Sequence, residues 1–381
     1  MEKKLDVIIP AHRAHGTLLQ ALGSIAIQTI ADRVRVTIVD DCCPEGDYEE
    51  IVAVFRPVLD VQLIRMEKNS GPGLARQKGI DSTACEFYTF LDADDVFYSC
   101  RALETLLQKI EKDDTCMCAG GAFWSPSYRL KAEELCKNRI WVFGKIWRRS
   151  FTERYNIRFN GTRANEDCSF CQISATLCDN PQEKMLDIGE YIVEYRDNDQ
   201  SITRTNNKQY YYDQSICGGI DNLIYTVEHA KKYRHFSGEI LRQIMSGMMM
   251  CYAEYIKVLD GMPALAVQAW EYCKKYYHRV YKPAEGCFTD ASFRAMYSSC
   301  MAYYFKLTDF KGVIPQIGIR EFMARLRREE YDPDLIYEIW EEMRKDPETR
   351  QMMEYNVACG VCPEGYTEKP GEEDEASAVQ V

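Results

Sequence analysis

Four short apolar runs, each closed by a turn and followed by a segment of helical periodicity, constrain the fold of this chain more than any other feature. Leu5 to Ile9 is stopped by Pro10, and Thr17 to Thr29 then carries Leu18, Leu22, Ile25 and Ala26 at helical spacing behind a candidate Thr17 cap. Val34 to Val39 enters the acidic turn Asp40-Asp41-Cys42-Cys43-Pro44 before a helical Tyr48 to Phe55. Val61 to Met66 leads through Gly71-Pro72-Gly73 into a helical Leu74 to Ser82, and Phe87 to Leu91 ends at Asp92-Ala93-Asp94-Asp95. Strands alternating with helices predict βαβ units, hence an α/β fold with a mostly parallel sheet and helices on both faces. Ligands of such sheets bind beyond the carboxyl ends of the strands. The turns at Asp40 and Asp92 fall there, so two strands are expected to deliver carboxylates to one rim.

Beyond about residue 206 the strand signals fade. Phe236 to Leu259, Pro263 to Tyr281 and Ile319 to Arg344 carry helix formers with apolar residues three and four apart, which predicts a mainly helical C-terminal domain. The expected organisation is a catalytic domain over 1–205, a helical accessory domain over 206–358, and an acidic, disordered tail over 359–381 that contains Glu372-Glu373-Asp374-Glu375. A length of 381 residues accommodates this. The formal charge of −12 excludes a chain-wide basic surface for nucleic acid. Apolar runs fall short of the roughly 20 residues that cross a bilayer, so a soluble protein is expected, with peripheral membrane contact left open. The 17 cysteines are scattered through a long chain with no signal peptide, and reduced thiols in a cytoplasm are the expected state.

Asp92-Ala93-Asp94-Asp95, directly after an apolar strand, is the strongest local signal. Hard carboxylate oxygens suit Mg²⁺ or Mn²⁺, and such ions usually sit between one or two carboxylates and substrate phosphates. An aspartate-rich turn capping the next helix is an equal reading of that segment alone. Glu166-Asp167 by itself reads better as the acidic first turn of a helix over Cys168 to Leu177, favoured by the helix dipole.

The order of five segments changes that balance. Val7-Ile8-Ile9-Pro10, Val39-Asp40-Asp41, Asn69-Ser70-Gly71 with Ala75-Arg76 and Gly79, Asp92-Ala93-Asp94-Asp95, and Asn165-Glu166-Asp167 together resemble the family 2 glycosyltransferases of the GT-A fold, over about residues 5–205. The resemblance implies an inverting, non-processive transfer of a hexose from a nucleotide-diphosphate sugar, UDP-linked by expectation, to an acceptor hydroxyl. It assigns Asp40 to the nucleobase, Pro10 and Ala11 to the nucleotide pocket, and Asp92, Ala93, Asp95 and Arg76 to the donor. Asp94, with Asp92, would hold Mn²⁺ or Mg²⁺ on the diphosphate, and Asp167, beside Glu166, would be the general base. A carboxylate suits that role because an attacking hydroxyl becomes acidic only as the new bond forms. The acceptor stays open among glycan, lipid, protein and nucleic acid.

Other features carry two readings each. Arg76 reaches either the diphosphate or a rim aspartate. Gly71-Pro72-Gly73 cradles phosphate or only shapes the turn. Trp147 faces a sugar or packs in the core, the latter being commoner. Arg196 and Arg204 are further diphosphate candidates. His12 and His15, Cys359 with Cys362, and the Tyr272 to Lys282 stretch read more simply as loop histidines, an incidental thiol pair and a helix with tyrosines packed inward. Two rivals are a nucleotidyltransferase, which would show a glycine- and lysine-containing loop where Pro10-Ala11-His12-Arg13 stands, and an inactive nucleotide-sugar-binding protein, which need not keep all four aspartates.

Overall fold

A computed structural model describes residues 3–126, 131–162, 165–196, 218–234, 237–306, 310–343 and 345. Arg204, Cys359, Cys362 and the 359–381 segment lie outside them. Contacts divide the chain into two compact units, Met1–Asn206 with Glu228–His235, and Asn207–Val227 with Phe236–Val381.

The first unit is built on nine strands: β1 Leu5–Ala11, β2 Val34–Asp40, β3 Asp60–Arg65, β4 Phe87–Phe90, β5 Val96–Phe97, β6 Cys116–Trp124, β7 Lys145–Arg148, β8 Asp179–Asn180 and β9 Glu183–Glu194. They form one sheet in the order β3-β2-β1-β4-β7-β6-β9-β5, with β8 on β9. The half made of β3, β2, β1 and β4 is parallel throughout. Beyond it the sheet is mixed, because β7 runs antiparallel to both β4 and β6 while β6 and β9 are parallel. Helices α1 Leu18–Ala26, α2 Glu49–Phe55, α3 Pro72–Asp81, α4 Ala102–Glu111, α5 Ala132–Leu135, α6 Arg149–Arg154 and α7 Glu166–Leu177 complete the unit.

Strand alternation assigns the two faces of this sheet. Leu5, Val7 and Ile9 of β1 share one buried cluster with Leu18, Leu22 and Ile25 of α1 and Leu103, Leu106 and Ile110 of α4. On the other face Ile8 meets α3, and Phe90 of β4 packs against Trp147, Phe159 and Phe170. Helices therefore cover both faces, as expected. Pro10 does not end β1, which runs on to Ala11 in register with β2. By then β1 has passed the last residue paired with β4, and proline is tolerated where a strand lacks a neighbour on one side. Thr17 precedes α1 but makes no side-chain cap; its Oγ1 donates to the Ala14 carbonyl instead.

The second unit is helical in its described residues. Gly238–Gly261 packs on Ala266–Tyr276, with Gly247 at the crossing: a Cβ there would stand 2.2 Å from the Tyr276 hydroxyl, which donates to the Ile244 carbonyl. Tyr272, Tyr276, Tyr277 and Tyr281 are buried, so the tyrosines of that stretch pack inward. The helix expected over Ile319 to Arg344 is two helices, Ile319–Arg328 and Leu335–Met343, separated by Pro333, which cannot continue a helix. No helix among the described residues is long and apolar enough to cross a membrane.

Candidate active site

Parallel pairing sets the rim. Ala11 at the end of β1 stands opposite Asp40 at the end of β2, which stands opposite Arg65 at the end of β3. The chain leaves β4 after Phe90, so Asp92 to Asp95 emerge at the same edge. Asp95 closes the turn with its amide on the Asp92 carbonyl at 3.0 Å.

Asp40 is fully buried; its Oδ1 accepts from the Cys43 amide at 2.8 Å and its Oδ2 from Arg65 Nη1 at 2.6 Å. Its neighbour Asp41 accepts from the Ser70 and Gly71 amides, each at 2.7 Å. Those are the amides that a glycine-rich turn would offer to a phosphate, and here they are committed to a carboxylate. Of the Gly71-Pro72-Gly73 segment, the Gly71 amide is thus taken by Asp41 and Pro72 has no amide to offer. Gly71 has φ +89°, where a side chain is strained, and Pro72 opens α3 where its missing N–H costs nothing.

The two remaining glycines of the segment seat α3. A Cβ on Gly79 would come 2.3 Å from Ile8 Cγ2, and one on Gly73 would come 2.6 Å from Glu166 Cγ. Close approach to β1 and α7 brings Arg76 into the middle of the site. Its Nη2 donates to Asp92 Oδ1 at 2.6 Å and its Nη1 to Glu166 Oε1 at 2.7 Å, with the guanidinium buried. Of the two readings of Arg76, pairing with a rim aspartate is the one seen. One cation thus joins the aspartate turn to the Glu166-Asp167 pair.

Both acidic residues lie in the first turn of α7, which begins after Asn165 in a left-handed conformation at φ +57°. Burial raises Glu166, against the opposing pull of Arg76. Burial, with repulsion from Glu166, pushes Asp167 up to about 7, and Asp167 also feels Arg76 and Asp92. A carboxylate near neutrality, half-buried at a rim with other acids, is poised for proton transfer. On the opposite side of the cluster, burial and repulsion from Asp92 and Asp94 push Asp95 up to about 9; its Oδ1 accepts from the Arg196 amide, while its Oδ2 is buried without a hydrogen-bond partner.

An orphaned carboxylate oxygen among three crowded aspartates fits a hard divalent cation, which removes the repulsion and occupies the lone pair. Asp92, Asp94 and Asp95 do not bring three oxygens within 4.8 Å of one another. The turn thus supplies part of a coordination shell and leaves the rest to phosphate oxygens and water, as such ions prefer.

Trp147 is fully buried, stacked on Tyr88, with Nε1 donating to Ser174 Oγ, and has no face for a sugar. Arg196 contributes through its amide on Asp95 and pairs its side chain with Gln20 and Glu194. Two residues carry roles that the sequence reading does not assign. Asp41 holds the 69–71 turn, and Lys145 is a buried amine on β7 within electrostatic reach of Asp167, its pKa lowered by burial. Lys145 is the first residue of β7, Lys-Ile-Trp-Arg, which carries a charge at either end, so the sequence offers no signal that singles it out.

Residues 6–176 match the sequence profile of Glycosyl transferase family 2. They form a family 2 glycosyltransferase domain. Over 128 residues the chain is 31% identical to the succinoglycan biosynthesis protein ExoW of Rhizobium meliloti, covering 32% of this chain and 40% of that protein. It is 30% identical over 113 residues to an uncharacterized glycosyltransferase of Rickettsia conorii, 30% of this chain and 18% of the relative. A third match, 32% over 94 residues, is the poly(ribitol-phosphate) beta-N-acetylglucosaminyltransferase TarS of Staphylococcus aureus, 24% of this chain and 16% of TarS. The matched stretches thus span less than half of each relative. Among solved structures, TarS 1-349 of S. aureus in complex with UDP superposes with a TM-score of 0.53 at 13% identity, covering 96% of this chain and 89% of that one. That likeness is one of fold, a GT-A-like sheet with a helical C-terminal region.

Proposed function

We propose that this glycosyltransferase moves a hexose from a UDP-linked donor to an acceptor hydroxyl with inversion, adding one or a few sugars, and that Asp167 is its general base. The observation that carries the reading is Arg76, which ties Asp92 to Glu166 through one part-buried and one buried bond and so keeps the donor-side and base-side acids on one rim. The elevated pKa of Asp167 supports the base assignment, since a base held near neutrality can take a proton at the moment the hydroxyl attacks. UDP in the TarS complex accords with the donor class.

Asp94, with Asp92, would hold Mn²⁺ or Mg²⁺ against the diphosphate, and the ion supplies neutralisation of the charge that builds on the leaving group. Pro10, Ala11 and Ala93 would line the nucleotide pocket with Asp40 at its base end. Accepting a bond from a nucleobase requires Asp40 to exchange its Arg65 contact, which the half-exposed Arg65 side chain permits. Asp95 would orient the sugar side of the turn through Arg196. The helical accessory region would present the acceptor. Attack from the face opposite the diphosphate would place the hydroxyl proton toward Asp167, and Arg76, paired with Glu166, partly offsets the repulsion that Glu166 exerts on that base.

Mass-spectrometric detection of a glycosylated product from a nucleotide sugar, lost in Asp167→Asn with donor binding retained, tests the assignment. Transfer within a few-fold of the parent would assign the base elsewhere.

A further inference from the structure

The loops that follow β1 and β2 hold a second group of ligand atoms that the transfer reaction does not use. His15, Cys43 and Glu45 each offer one, and these lie within 4.8 Å of one another; among the described residues no other trio of His, Cys, Asp or Glu does so. His15 Nε2 lies 2.9 Å from the Asp47 carbonyl. A carbonyl only accepts, so Nε2 carries the ring proton and Nδ1 presents a lone pair. That Nδ1 is buried without a hydrogen-bond partner and stands 3.7 Å from Glu45 Oε2, too far for a hydrogen bond.

The surroundings hold this arrangement in place. The His15 ring stacks on Tyr48 with centroids 4.5 Å apart, and the Tyr48 hydroxyl accepts from the Ala14 amide and lies against Cys43. Cys43 is buried, with its amide on Asp40 and its carbonyl accepting from Arg65. Glu45 is the exposed partner, its side chain 56% accessible. His12, the other histidine of the loop, points instead to the Asp41 carbonyl and Asn69.

We propose that His15 Nδ1, Cys43 Sγ and a Glu45 carboxylate oxygen bind a thiophilic divalent cation of the zinc class, at a site separate from the aspartate turn. Bonds of about 2.1 Å in a tetrahedral shell place two ligand atoms about 3.4 Å apart, so the present 3.7 Å between Nδ1 and Oε2 closes with a small turn of Glu45. A nitrogen, sulfur and oxygen set favours zinc-class ions over magnesium or manganese, which prefer oxygen alone. Water fills the fourth position on the exposed side. The Asp47 carbonyl, by holding Nε2–H, is the outer partner that metal-bound histidines usually have. Binding exchanges the Cys43 thiol proton for the cation, releasing one proton to solvent, so affinity rises with pH. Occupancy would clamp the 12–17 loop to the 41–48 turn next to Asp40. An effect on the donor rests on the function proposed above; the site itself does not.

Co²⁺ titrated into the full-length chain without nucleotide is the test, because a cobalt–thiolate bond gives a charge-transfer absorption that cobalt–carboxylate sites lack. The wild type should show that band, and Zn²⁺ should abolish it by displacement. Cys43→Ser should remove it, His15→Gln and the surface change Glu45→Gln should each weaken binding by about tenfold or more, and Asp94→Ala should leave it intact. No band in the wild type, a band that survives Cys43→Ser, or affinities untouched by both His15→Gln and Glu45→Gln would overturn the proposal. Loss of the band in Asp94→Ala would overturn it as well, by placing the cation at the aspartate turn.

Discussion

Replacing Arg76 with methionine removes the buried guanidinium that bridges Asp92 and Glu166 while keeping most of its volume. Arg76 and Glu166 side chains are 6% and 8% exposed and Asp92 is 27% exposed, so neither acid can turn fully to water when the guanidinium is lost. Breaking one partner out of a buried ion pair costs about 3–5 kcal/mol. For a unit of this size that is a fall in melting temperature of roughly 6 to 20 °C. The deficit should depend on pH with a definite sign. Glu166 is already raised by burial, and without Arg76 it rises further, so the native state then holds a proton that the unfolded chain gives up. Stability is therefore retained below the ordinary glutamate value and lost as pH climbs through the raised one. Urea denaturation at pH 4.5 and pH 8 should show a small and a full deficit. Arg76→Met/Glu166→Gln should regain at least half of the loss at pH 8, because the stranded charge is gone. A deficit under about 1 kcal/mol at pH 8, or no recovery in the double variant, would refute the view of Arg76 as the link between the two acidic groups.

The pH profile of kcat/KM should show an acid limb near 7, the value to which burial raises Asp167, and Asp167→Asn should lower kcat by about 10² to 10⁴ with donor affinity kept; a flat profile through 7 would argue for another base. Gly73→Ala should cost about 1–3 kcal/mol, since its Cβ meets a Glu166 that Arg76 holds in place, whereas Gly16→Ala, with nothing within 4 Å, should be neutral; equal melting temperatures for the two would contradict the close approach of α3 to α7. Asp6 is buried on β1 and raised to about 6 from 3.8 by burial, so the native state keeps a proton that the unfolded chain sheds. Stability is lost as pH rises between those values, and Asp6→Asn should gain up to about 3 kcal/mol at pH 8 and nothing below pH 4. An identical effect at both pH values would show the carboxyl to be ionised in the fold.

The first half of the sheet was readable because each of its elements is locally consistent. Its strands are apolar runs bounded by turn residues, its helices have the right period, and consecutive elements pack on one another. The second half was not. β6 is buried along both faces and so lacks alternation, β5 is two residues long, and the direction in which β7 meets β4 and β6 depends on contacts some 60 and 25 residues away in sequence. The same limit applies to the site. That Asp40 and Asp92 share a rim follows from strand ends alone. That Arg76 bridges to Glu166, 90 residues onward, or that Asp41 consumes the amides of the glycine turn, depends on tertiary approach. Gly79 illustrates the gap: its place in the motif was visible, while its reason, the Ile8 side chain against the helix, was not.

The most direct test of the account is a paired measurement on Asp94→Ala. Melting temperature and sugar transfer are followed with UDP-sugars in the presence and absence of Mn²⁺. The expected result is an apo melting temperature close to the parent's, no metal-dependent stabilisation by the nucleotide sugar, and no product by mass spectrometry. Undiminished turnover by this variant, with nucleotide binding that still responds to Mn²⁺, would contradict the claim that the aspartate turn holds the cation on a sugar-bearing diphosphate.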